Sequence, residues 1–145
     1  MDMNSHYKNL ERMYLAAPIN AIFLPRLSVT KGESEIEIDI GEKYHHAGGG
    51  VHGSVYFKML DDAAFFAANS LETEVFVLTT SFTTYLTRPV REGKMRAVGK
   101  VVNKNSTQFI AESVVYDSRN KEIGRGNGVF VRSKKLLADT MGYLS

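Results

Sequence analysis

The chain has 145 residues, of which 43 % are hydrophobic and 23 % charged, with a formal net charge of +2. That length holds one compact domain burying roughly 68–70 % of its unfolded surface. The small charge argues against a nucleic-acid coat but leaves room for a local basic patch, and the absence of cysteine excludes disulfides, thiolate nucleophiles and thiolate metal sites. The first residues, MDMNSHYKNLERMY, lack a signal-peptide pattern, and no apolar run approaches the ~20 residues that span a bilayer. A cytoplasmic protein without membrane or nucleic-acid partners is expected.

In chain order, Leu10, Tyr14 and Ala17, with Met13 alongside, predict a short amphipathic helix over about 7–17. Pro18 and Pro25 punctuate the next stretch. Leu27 to Val29 and Glu35 to Ile40 read as strands around the turn KGES. In EIEIDI, Ile36, Ile38 and Ile40 alternate with Glu35, Glu37 and Asp39, the pattern of a half-buried antiparallel strand. After three glycines, 48–50, the best helix of the chain is expected over about 51–69. Four strand-like runs follow, VFVLTTSFTTYLTRP, MRAVGKVV, TQFIAESVVYDS and EIGRGNGVFVRS. The separators REGK, NKNS and DSRNKE have hairpin-turn chemistry. The expectation is one α+β domain over 1–145, its core at about 27–132. A four-strand meander would be covered by one dominant helix, and the last ten or so residues would form a short tail.

On a helical wheel Val55, Met59, Ala63 and Phe66 line one side of the long helix, and Tyr56, Leu60 and Ala67 lie beside them. With Phe57, Ala64 and Ala68 added, the apolar arc exceeds half the circumference, as in a helix that is mostly surrounded. The polar remainder is a narrow stripe of Ser54, Lys58, Asp61, Asp62 and Asn69, with Asp61 at its border in a column with Phe57 and Phe65. The plain explanation is a Lys58–Asp62 i,i+4 pair beside a solvated Asp61.

The helix entrance argues for more. Gly48 to Gly50 leave the backbone free to take positive φ, and His52 and Gly53 fall in the first turn. The N–H groups there lack internal partners and carry the positive end of the helix dipole. A glycine amide lets a ligand oxygen approach closely, as a one-donor oxyanion site. Singly, each residue has an ordinary structural explanation; His45, His46, His52, Gly53 and Asp61 within about two turns are harder to assign to structure alone. A metal site is not expected: there is no HExxH, no helical i,i+4 histidine pair and no cysteine. P-loop, Rossmann and nucleophile-elbow motifs are also absent.

These residues resemble the hotdog-fold acyl-CoA thioesterases, in particular the branch of the phenylacetate-pathway and 4-hydroxybenzoyl-CoA thioesterases. The resemblance rests on Gly50-Val51-His52-Gly53-Ser54 with Asp61 nine positions past His52, and on Tyr85-Leu86-Thr87-Arg88-Pro89-Val90. It implies a long central helix wrapped by a curved antiparallel sheet, and a side-by-side homodimer or a dimer of dimers with each site shared between two chains. It also implies the roles: Gly53 N–H on the thioester carbonyl, Asp61 of the partner chain as general base or nucleophile, and His52 near the sulfur. A strand hydroxyl, Thr79 or Thr80, would hold the water or carboxylate. Two positions depart from the family pattern: His46 stands where Asn or Gln is usual, and Ser54 replaces the second glycine of His-Gly-Gly. Asp62 is a rival to Asp61, which the spacing disfavours.

The implied substrate is an acyl-CoA, with coenzyme A entering only as part of the substrate and no metal or other cofactor. Phe57 and Phe65 would line the acyl pocket, and Arg88, Arg91, Lys104 and Arg132 are candidates to face the CoA phosphates. Two other functions compete: a hotdog dehydratase or hydratase on acyl thioesters, and an acyl-CoA-binding domain without turnover.

Overall fold

A computed structural model of the chain describes residues 2–145. Helix α1 spans Met3–Ala16. It starts earlier than the hydrophobic spacing predicts because the Asp2 carboxylate caps it, accepting from the Ser5 N–H at 2.8 Å. A one-turn helix α2, Asn20–Phe23, ends where Leu24 takes a left-handed conformation at φ 49°; it is too short for the sequence periodicity to register. The strands are β1 (Arg26–Thr30), β2 (Glu33–Ile40), β3 (Val75–Leu86), β4 (Gly93–Lys104), β5 (Gln108–Tyr116) and β6 (Glu122–Leu136). The long helix α3 is Gly53–Ser70.

One sheet contains all six strands in the order β1-β2-β4-β5-β6-β3, each pair antiparallel. This corrects the expected meander. Of the four strands after α3, only β4, β5 and β6 are hairpin neighbours; β3 pairs with β6 and leaves its other edge unpaired. The segment after β3 does not turn back on it. It crosses the entrance of α3, where the Tyr56 hydroxyl donates to Arg88 O at 2.7 Å and the Val51 N–H to Val90 O at 2.9 Å, and only then enters β4 beside β2.

The sheet wraps α3, as the broad apolar arc requires. Met59, Leu60, Ala63, Ala64, Ala67 and Ala68 are all inaccessible to solvent. The small residues let strands come close: a Cβ at Gly99 of β4 would collide with the Ala63 backbone. Two buried serines pin the helix to the sheet, Ser34 Oγ donating to Ala63 O at 2.6 Å and Ser113 Oγ to Leu60 O at 2.7 Å. In β2, Ile36 and Ile38 are fully buried, as the alternation predicts.

Asn69 departs from the polar stripe assigned to it. It is fully buried, accepts from the Val77 N–H at 3.0 Å and donates to Glu72 O and Val75 O, both at 3.1 Å. It thereby fixes the turn from α3 into β3. The tail is also docked: Leu137 and Tyr143 are buried, and the Tyr143 hydroxyl meets His6 Nδ1 at 2.7 Å. Among the described residues no helix is long and apolar enough to cross a membrane.

Candidate active site

The glycine segment is a closed turn. The His46 N–H donates to Gly50 O at 2.9 Å and the Gly49 N–H to His46 O at 3.0 Å. Only Gly49, at φ +86°, uses the left-handed region. The turn is tied to the segment after β3: His45 Nε2 meets Arg91 O at 2.6 Å, an acceptor, so this nitrogen carries the proton. The two motifs far apart in sequence therefore meet at the entrance of α3.

His52 is the N-cap of α3, in extended conformation. Its Nδ1 accepts from the Ser54 N–H at 3.0 Å and lies 2.8 Å from Ser54 Oγ. A ring nitrogen that accepts from an amide leaves the ring proton on Nε2, so the exposed edge of His52 is a donor. Gly53 follows as the first helical residue, and no described residue accepts from its N–H. Space there is tight, since a Cβ at Gly53 would lie 3.0 Å from Leu86 Cδ1. His46 stays exposed, its Nδ1 accepting from the Gly48 N–H at 2.9 Å and its ring lying over the glycine turn.

Asp61 lies eight residues beyond Gly53, about 12 Å along the helix at 1.5 Å per residue. It is half-buried, and Thr79 Oγ1 of β3 donates to its Oδ1 at 2.9 Å. Its Oδ2 has no hydrogen-bond partner among the described residues. Burial pushes the carboxyl up to about 6; the Thr79 hydroxyl opposes this, the Asp62 charge adds to it and Lys58 reduces it. Asp62 is already engaged, accepting from Tyr14 Oη at 2.6 Å and from Lys58 Nζ at 2.7 Å. The Lys58–Asp62 pair is thus present as the helical spacing predicts, but Asp61 beside it is half-buried.

Thr79 and Thr80 are placed differently. The register of β3 against β6 shifts between Thr79 and Ser81. Thr79 faces Asp61, whereas Thr80 is exposed with its hydroxyl on Val129 O at 3.1 Å. Asp61 and Thr79 open onto a cleft of about 290 Å³, lined by Phe65, Phe76 and Leu78 and, from the N-terminal segment, by Tyr14 and Ile19. Phe65 lines this cleft. Phe57 does not line it; it is 42 % exposed and packs edge-on against Phe82 with ring centroids 5.7 Å apart. Arg88 is exposed and contributes its carbonyl to Tyr56. Arg132 is held by Glu72 at 2.8 Å. The N-terminal wall of the cleft had no separate signal in the sequence beyond the apolar face of α1. Among the described residues no three His, Asp or Glu side chains converge as metal ligands.

A family model described as the thioesterase superfamily matches residues 48–123. Among solved structures, the chain is similar to the Escherichia coli PaaI protein from the phenylacetic acid degradation operon, at TM-score 0.84 and 16 % identity. That match covers 92 % of this chain and 97 % of that one. It is also similar to thioesterase HI1161 of Haemophilus influenzae, at TM-score 0.75 and 16 % identity over 86 % of this chain and 88 % of the other. A protein of Saccharolobus solfataricus named "Putative esterase SSO1253" is 23 % identical over 110 residues, 76 % of this chain and 73 % of that protein.

Proposed function

The chain belongs to the thioesterase superfamily, with the hotdog fold and thioester hydrolysis as its activity, and from that premise we propose that it hydrolyses an acyl-CoA to the free acid and CoA in a homodimer. One observation carries the reading: Asp61 presents a carboxylate with one uncommitted oxygen to an apolar cleft, its pKa raised to about 6. A carboxylate so placed is ionised at neutral pH yet more basic than an exposed one, which suits proton abstraction from water.

Gly53 N–H binds the thioester oxygen as negative charge develops on it, and His52 Nε2–H faces the departing sulfur. Asp61 either takes the proton of the attacking water or attacks the carbonyl carbon itself. The ~12 Å between Gly53 and Asp61 of one helix is too far for both to act on one carbonyl, so the donor and the base come from different chains. The free edge of β3 supports this arrangement. It is 12 residues long, with Leu78, Tyr85 and Leu86 48–57 % exposed. A long apolar edge strand without a covering element is a pairing surface, and a second copy of the same edge closes it.

Thiol release from short, aromatic and long acyl-CoAs tests the reading. Asp61→Asn is expected to lower kcat/KM by on the order of 10²-fold or more, the scale of a positioned acid–base group. Equal rates in the variant and the wild type would reject Asp61. Water addition or elimination without thiol release would favour the dehydratase, and tight acyl-CoA binding without any reaction the binding domain.

A further inference from the structure

We infer that the N-terminal segment from Met13 to Asn20 is the specificity wall of the acyl pocket and sets this enzyme's preference among apolar acyl groups. The inference rests on the acyl-CoA hydrolase reading above. The lining of the cleft at Asp61 comes from two parts of the chain. Phe65 on α3 and Phe76 and Leu78 on β3 supply one part; Met13, Tyr14, Ala17 and Ile19 from the N-terminal segment supply the other. Asp61 lies within the segment matched by the superfamily model, residues 48–123, whereas Met13, Tyr14, Ala17 and Ile19 precede it.

The wall is fastened rather than draped. Tyr14 Oη donates to Asp62 at 2.6 Å, one residue from the proposed base. Lys58 bridges the same carboxylate at 2.7 Å and lies over two rings of the segment and its continuation, 5.2 Å from the centre of Tyr14 and 5.0 Å from that of Phe23. Tyr14 also packs edge-on against Phe66 at 4.8 Å. Asn20 Nδ2 donates to Tyr14 O at 2.7 Å and closes the turn between α1 and α2. With Lys58 and Asp62 paired to each other, Met13, Ala17 and Ile19 present an apolar surface to the acyl group.

The cleft of about 290 Å³ lies near the lower limit of small-molecule pockets, roughly 300–1,000 Å³. An acetyl group leaves most of the wall without contact, whereas a longer or aromatic acyl group reaches Met13, Ala17 and Ile19.

The test is the acyl-size profile of kcat/KM, measured with butyryl-, benzoyl-, octanoyl- and palmitoyl-CoA. Wild type is expected to prefer benzoyl or octanoyl over butyryl. Ala17→Phe narrows the cleft and is expected to lower the octanoyl-to-butyryl ratio by on the order of 10-fold, the scale of mis-sizing an apolar pocket. Ile19→Ala, at a 51 % exposed position that the core does not need, is expected to move the profile the other way, toward longer chains. A profile that stays parallel to wild type in Ile19→Ala overturns the assignment of the wall, whatever Ala17→Phe does to folding. A wild type that releases no thiol from any acyl-CoA overturns the hydrolase reading itself.

Discussion

Replacing Thr79 by valine tests the electrostatics of the proposed base without altering its shape. The hydroxyl donates to Asp61 Oδ1 at 2.9 Å and favours the ionised carboxylate against the burial that raises its pKa to about 6. A hydrogen bond to a charged group contributes about 1.5–3 kcal/mol. At this half-buried position the lower figure applies, and it corresponds to about one pH unit. Because the base acts ionised, the acid limb of kcat/KM is expected to move up by that amount in Thr79→Val. At pH 6 the ionised fraction would fall from about a half to about a tenth, a roughly fivefold loss of rate, while at pH 8 the two enzymes would differ by only about 10 %. The assay is kcat/KM for one good acyl-CoA between pH 5 and 9. An equal loss at every pH would mean that Thr79 positions a group instead of tuning one. An unmoved acid limb would refute the claim that this hydroxyl holds the carboxylate.

Two further outcomes concern stability. The Asp61 carboxyl has a folded-state pKa above its unfolded one, so ionising it costs stability as pH rises from 3.8 through about 6. Discounted for solvent screening, that cost is about 1 kcal/mol at neutral pH. Asp61→Asn is therefore expected to melt about 3 °C higher at pH 7.5, with the gain fading below pH 4; a variant that melts lower at pH 7.5 contradicts it. His6 has the opposite sign. It is 1 % exposed, with Nε2 facing Asn69 O at 2.9 Å and Nδ1 facing the Tyr143 hydroxyl, and burial lowers its pKa. Its contribution is complete above the unfolded value of about 6.5 and is lost as pH falls below it. Melts at pH 7.5 and 5.5 should show a shallower pH dependence for His6→Gln than for wild type; identical slopes would mean that His6 does not report the acid transition.

The element types were legible because they rest on local pattern. Period-two isoleucines announce β2, and an apolar arc wider than half the wheel announces a wrapped α3. The strand order was not legible, because turn chemistry at Arg91 to Lys94 is compatible with a hairpin and only the contacts of Arg88 and Val90 with the helix entrance show that the chain crosses over instead. The same limit applied at Thr79 and Thr80. Side chains alternate along a strand, so one unpaired residue exchanges the faces of everything beyond it. The burial of β3 changes phase there, with Val77 and Thr79 more covered than their neighbours before the bulge and Phe82 and Thr84 after it. No spacing rule measured from Asp61 detects an irregularity whose cause is the pairing with β6. Asn69 was misplaced for a related reason: a polar residue at the end of an amphipathic helix has the same wheel position whether it meets water or the backbone of the next strand.

On the proposed mechanism, the separation of Gly53 from Asp61 also bears on the proposed homodimer. A helix that carries its oxyanion donor at the first turn and its base two turns on keeps them about 12 Å apart however the rest of the chain folds. No loop movement within one protomer brings them to the same carbonyl, because both are fixed to one rigid element at positions set by 3.6-residue periodicity. Only a second helix, offset along its axis, places a donor opposite the base. The edge strand β3 is the element able to set that offset. It carries Thr79, and its register against a second β3 would fix the position of Asp61 relative to the partner's helix entrance. On this reasoning a substitution that slips the edge pairing by two residues, about 7 Å along the strand, would leave every protomer folded and every site residue in its own place, yet would separate the base from the donor it serves.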